Sequence, residues 1–189
     1  MGSKLRLAAV VLASAITTVG MGVFAPAANA ANSGATTATF TISGGTLDIT
    51  VPSSTVDLTP TAVTAGSLTA SGALGNTTVS DQRAALIATW TVTISSTDFM
   101  NTTTNGTSAN EKVANSKVGY SSGLATGSGT GAFVPGVIPA ATGVGTGTAG
   151  PTWAGVGVNT QTWNPTMSFV LATSQVAGTY TGTITQSVA

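Results

Sequence analysis

The sequence contains no cysteine and no histidine. Without thiols there is neither a disulfide framework nor a lipidated N-terminal cysteine, so stability has to come from the core alone. Without imidazole or thiolate, the Ser-His and Cys-His nucleophilic pairs and the usual zinc ligand sets are excluded. Charge is scarce as well: charged residues make up 5% of the chain, with 5 Lys+Arg balancing 5 Asp+Glu. No basic patch exists to neutralise phosphates, which argues against a nucleic-acid partner and against polybasic attraction to anionic lipid. Tryptophan occurs 3 times, so each one calls for an explanation.

What is there begins with a leader pattern. Lys4 and Arg6 precede an apolar run, "LAAVVLASAITTVGMGVFA", which Pro26 breaks and which ends at the small-residue triplet Ala28-Asn29-Ala30. This order reads as a secretory signal peptide over residues 1–30, with the mature chain expected to begin at Ala31. The remainder is one domain's worth of chain, expected to bury roughly two thirds of its unfolded surface. Its charges are Arg83, Lys112 and Lys117 against Asp48, Asp57, Asp81, Asp98 and Glu111. The final stretch "TYTGTITQSVA" shows no apolar tail and no Leu-Pro-x-Thr-Gly signal. The expectation is therefore a protein released, or held at the surface without a covalent link.

Period-two alternation dominates the rest. "TATFTIS" places Ala38, Phe40 and Ile42 opposite threonines, and "TLDITV" does the same with Leu47, Ile49 and Val51. "ATWTVTISSTDF" sets Trp90, Val92 and Ile94 against Thr89, Thr91, Thr93 and Ser95. "TMSFVLA" and "YTGTITQSV" continue the pattern with Met167, Phe169 and Leu171, then Tyr180, Ile184 and Val188. Threonine suits the wet face because it is β-branched and keeps its hydroxyl hydrated. Short strands separated by Gly, Pro and Ser turns predict an all-β fold, an antiparallel β-sandwich of the Ig-like or Greek-key type, as a single domain over 31–189. "DQRAALIA" is the best helical candidate, enough for one turn. Residues 121–153, rich in Gly, Ala and Thr, read as a long loop region holding weak strands around 132–134 and 153–158, or as a flap over a sheet edge.

In such a sandwich Trp90 is expected to plug the space between the sheets, with Val92 and Ile94 beside it. The strand "TWTVTISSTDF" and the late "WNPTMSFVLATSQVAGTYTGTITQSVA" resemble the WxL-type surface domains of Gram-positive bacteria, especially small secreted actinobacterial members. Trp90-Thr91-Val92 matches the first Trp-x-Leu element with valine for leucine. Tyr180 and Ile184-Thr185 match the start of the closing element, while Gln186 stands where that family has its second tryptophan and Val188 where it has its last leucine. The resemblance implies an extracellular β-sandwich that associates non-covalently with the cell wall and has no enzymatic activity.

The remaining candidates are few. Asp81-x-Arg83 lie on one face of an extended segment and are expected to form a structural ion pair. The five acids of the mature chain are scattered over strands, turns and loops, so paired-carboxylate catalysis is not expected. Asp98, Asn101 and Asn105 share one loop, but their spacing matches no ordered calcium loop, and no metal or cofactor is expected. Trp153 and Trp163 flank "GVGVNTQT" at the mouth of the Gly-rich region and are candidate ligand or surface aromatics. The sequence thus predicts a non-enzymatic, secreted cell-envelope protein with a structural or adhesive role, whose partner is a cell-wall polymer (peptidoglycan or an associated glycan) or another surface protein. Two alternatives stay open: a carbohydrate-binding module using Trp153 and Trp163, and a subunit that self-associates through edge strands such as Thr36–Ser43 and Tyr180–Val188.

Overall fold

The computed structural model describes residues 36–52, 56–58, 69–104 and 106–189; the leader segment lies outside them. Its strands, in chain order, are β1 (Leu47–Thr50), β2 (Thr69–Ala73), β3 (Thr77–Ser96), β4 (Phe99–Asn101), β5 (Lys112–Val113), β6 (Val118–Ser121), β7 (Thr126–Val134), β8 (Val137–Ile138), β9 (Thr148–Trp163), β10 (Thr166–Val170), β11 (Tyr180–Thr181) and β12 (Ile184–Val188). Single 3-10 turns occupy Ala109–Glu111 and Asn115–Lys117.

The fold is an all-β antiparallel sandwich. One sheet runs β1-β3-β9-β7, with β12 laid along the C-terminal half of β3; the second runs β2-β10-β6-β8; a small third runs β11-β4-β5. Val79, Trp90, Val92, Ile94, Trp153 and Trp163 from the first sheet share one hydrophobic cluster with Val118, Tyr120, Ile138, Met167 and Phe169 from the second. Trp90 stacks on Trp163 with ring centroids 6.2 Å apart, and Phe133 tilts against both. Among the described residues only β4 and β5 pair with their immediate neighbour in sequence. The other pairings are non-local, and such topologies fold slowly because loop closure precedes the reward of contact.

Strand β3, 20 residues long, is the spine of the first sheet. Thr77, Val79 and Asp81 point into the core from odd positions, whereas Ala88, Trp90, Val92 and Ile94 do so from even ones. An unbroken strand cannot do both, since a one-residue slip exchanges the faces. The pairing with β9 shows how the change is made: from Asp81 to Trp90 β3 advances nine residues while β9 moves six, from Asn159 to Trp153, with register shifts on either side of Ala85. Ala84 takes the left-handed conformation at φ 52°, a cost borne by a residue that has a Cβ.

The structure corrects several sequence expectations. "DQRAALIA" forms the bulged centre of β3 rather than a helical turn. In residues 121–153 the strands expected around 132–134 and 153–158 are present, as parts of the longer β7 and β9, with β8 between them; the alternative of a flap over a sheet edge does not hold. The region's glycines hid the full length of these strands from composition, and packing explains them: a Cβ at Gly131 would fall 2.7 Å from Trp153 Cζ2, and one at Gly155 2.7 Å from its Nε1. The predicted first strand, 36–43, is not a strand. Residues 36–46 are exposed and irregular, because the bulged edge of β3 beyond Gln82 offers no straight partner to extend the pairing that β1 makes. The chain divides into two units, Met1–Phe40 and Thr41–Ala189, and all the strands belong to the second.

Replacing Trp90 by alanine removes a buried indole from the centre of this cluster. The Trp90→Ala protein is expected to lose about 3–5 kcal/mol in urea unfolding, by transfer energy and the cavity left behind.

Candidate functional site

Trp153 and Trp163, the candidate ligand aromatics, are 4% and 2% exposed. Neither offers a ring face to a sugar, and that assignment is withdrawn. The physical reason is the odd-position face of β9, which carries Trp153, Asn159, Gln161 and Trp163 all inward. Tyr180, Ile184 and Val188 are half-buried and pack against the core cluster.

The predicted Asp81 and Arg83 pair is part of a longer chain of hydrogen bonds. Arg83 donates from Nε to Asp81 Oδ1 at 2.9 Å and from Nη2 to Oδ2 at 2.8 Å. Its Nη2 also donates to the carbonyl of Thr89 at 2.7 Å, so the guanidinium spans the bulge of β3. Behind it, Asn159 Nδ2 donates to Asp81 Oδ2 at 3.4 Å, and Asn159 Oδ1 accepts from Trp90 Nε1 at 3.0 Å. The core tryptophan and the surface-reaching arginine are thereby tied together through two buried polar groups. Asp81 is 0% exposed. The Arg83 guanidinium, followed by its backbone N–H, holds the Asp81 carboxyl below the usual range against the opposing effect of burial.

A second buried set crosses the sandwich. Trp163 Nε1 donates to Tyr120 Oη at 2.8 Å, Tyr120 donates to Gln186 Oε1 at 3.1 Å, and Gln186 Nε2 donates to Thr77 Oγ1 at 3.0 Å. Burial pushes the Tyr120 hydroxyl up to about 12, so it stays a neutral donor. Sequence reasoning missed Tyr120, Asn159, Gln186 and Thr77. For Gln186 a signal existed: it falls between Ile184 and Val188 on the inward alternation of the last strand.

Several other polar groups are engaged locally. Asp98 accepts from the Asn115 N–H at 2.9 Å and pairs with Lys112 at 3.2 Å. Glu111 accepts from the Ser108 N–H at 3.0 Å. Asn101 accepts from the Thr103 N–H and donates to the Ala177 carbonyl, while Asn105 lies outside the described residues. Among the described residues no three His, Cys, Asp or Glu side chains gather where they could hold a metal. A cavity of about 200 Å³ lies between the 3-10 turns and the end of β10, lined by Val113, Ala114, Lys117, Leu171 and Gln175. It is smaller than the roughly 300–1,000 Å³ common for ligand sites.

The outer face of the first sheet carries the most regular polar arrangement in the molecule. Register aligns Thr50, Thr78, Thr162 and Thr126 in one row across four strands. It aligns Asp48, Ser80, Thr160 and Ser128 in the next. Thr78 and Thr162 hydroxyls bond to each other at 2.9 Å. Seven hydroxyls and one carboxylate thus stand in two rows, with strands about 4.8 Å apart.

Asp81 supplies a pH prediction. Its folded pKa is depressed, so its stabilising contribution is fully present above the unfolded value near about 3.9 and is lost as pH falls through the folded value. Asp81→Asn is expected to cost about 1–3 kcal/mol at neutral pH by leaving Arg83 and Asn159 mispaired. Its melting temperature should also fall less steeply than that of the parent as pH drops below about 4. Thermal melts of both proteins across that range provide the check.

Comparison of the chain with protein-family models, with curated proteins and with solved structures finds no match.

Proposed function

We propose that this chain is an exported, non-catalytic cell-envelope protein that associates non-covalently with the cell wall, in the manner of the WxL-type domains it resembles. One observation carries the reading. The two elements of that resemblance, far apart in sequence, are hydrogen-bonded neighbours: β12 pairs with β3 so that Gln186 lies opposite Ile94 and Val188 opposite Val92. They behave as a single structural unit. The leader pattern of residues 1–30 supports export.

The replacement of the family's second tryptophan by Gln186 bears on how the wall is held. Trp90 and Gln186 are both buried, so these positions serve the core and the contact has to lie elsewhere. The hydroxyl rows on the outer face of the first sheet are the surface that suits a wall glycan. They present donors and acceptors to a polymer that is itself rich in hydroxyls, with Asp48 the single charge among them. Each contact of this kind is weak, about 0.5–1.5 kcal/mol, and retention would come from many together.

Incubation of the purified protein with isolated walls, followed by sedimentation, tests the reading. The parent protein is expected in the pellet, and a Thr126→Glu, Thr162→Glu variant is expected to be retained several-fold less, on the order of two such contacts. Complete recovery of the parent in the supernatant, with no protein in surface fractions of the source cells, would overturn it.

A further inference from the structure

Residues 36–43 have the alternation of a strand and the exposure of a tail. Ala38, Phe40 and Ile42 occupy one set of alternate positions, with Phe40 85% and Ile42 75% exposed. The segment carries no charge and no proline. Native chains seldom leave such a segment open, since it is a template for pairing with another chain.

A matching edge exists on the same molecule. Among the described residues β7 pairs only with β9, and its other side is open. β7 also lacks charge and proline, the devices that ordinarily blunt an edge. A bulge at Gly129, with φ 129°, interrupts its first half, which leaves Thr130–Val134 as the regular part. Exposed Leu124 precedes this strand, exposed Val134 ends it, and exposed Val137 follows two turn residues later. The half-buried Phe133, in contact with the core tryptophans, lies at this rim.

Residues 36–43 cannot reach the β7 edge of their own chain. Gly45 and Thr46 are bonded to Gln82, which anchors the C-terminal end of the segment beside β1. β1 and β7 form opposite edges of the sheet, with β3 and β9 between them. Eight residues reach at most about 27 Å, and the four strand spacings from β1 to the open side of β7 take about 19 Å of that. Too little would remain to lie alongside β7.

We propose that residues 36–43 of one copy add as a strand to the β7 edge of a second copy, with Phe40 and Ile42 on the face that carries Phe133, so that they extend the apolar layer at that edge. Donor and acceptor are different surfaces, so the contact is heterologous and propagates head to tail. It depends on backbone pairing and apolar burial and does not rest on wall association.

The test uses the full chain, purified as its host processes it, in sedimentation velocity over a wide concentration range. The parent is expected to grow with concentration beyond twice the mass of one chain. A donor variant, Phe40→Lys with Ile42→Lys, and an edge variant, Thr130→Lys with Ala132→Lys, are each expected to stay monomeric with unchanged melting temperatures. Mixed, they should form a one-to-one pair and nothing larger, because the edge of the first is intact and the segment of the second is intact. A parent that is monomeric throughout would overturn the proposal. So would assembly that survives the donor substitutions, which would mean that edges pair with edges, or a mixture that yields no pair.

Discussion

The ion pair between buried Asp81 and surface-reaching Arg83 is the interaction on which the rest of the molecule depends. It sits at the point where β3 changes the face it presents to the core. Before it, odd-numbered residues point inward; beyond the bulge, even-numbered residues do. Arg83 grips the carboxylate on one side of the irregularity and the Thr89 carbonyl on the other. It holds a strained Ala84 in place and delivers Trp90 to the interior. A surface ion pair of this residue type would contribute little. Here one partner is fully buried, so losing the other leaves an uncompensated charge in the core.

A core without disulfides has organised its polar groups to the same end. Trp90 and Trp163 each donate their indole N–H into a buried chain, through Asn159 in one case and Tyr120 in the other. These chains specify orientation as well as burial, because a rotated indole would strand its donor. Trp153 differs. Its indole lies against the glycines of β7 and β9, and its N–H is the one buried side-chain group without a partner among the described residues. Close approach to Gly131 and Gly155 is gained there at the expense of one hydrogen bond.

This inward commitment of the aromatic residues shapes what the surface can do. With all three tryptophans spent on the core, what remains outside includes rows of hydroxyls on one sheet, an uncharged β7 edge and, at the opposite side of that sheet, an exposed strand-like segment. These are extended and repetitive rather than concave. This extended shape is what the proposals of a glycan and of a further copy of the chain as partners rest on.

The alternation of apolar and hydroxyl residues determined, from the sequence alone, that the chain is all β, that its layers are antiparallel, and that Trp90, Val92 and Ile94 share one face. Those properties depend on neighbours along the chain, and a period of two expresses them directly. The same rule placed residues 36–43 in a strand, because periodicity reports the capacity to pair and not whether a partner edge is there. Tertiary structure decided the rest. The face switch within β3, the burial of Trp153 and Trp163, the filling of the long Gly-rich region with strands, and the meeting of Trp163, Tyr120, Gln186 and Thr77 all depend on residues brought together from distant parts of the chain. A glycine is legible as a strand residue only when the indole it makes room for is in view, and that indole belongs to the facing positions of another strand.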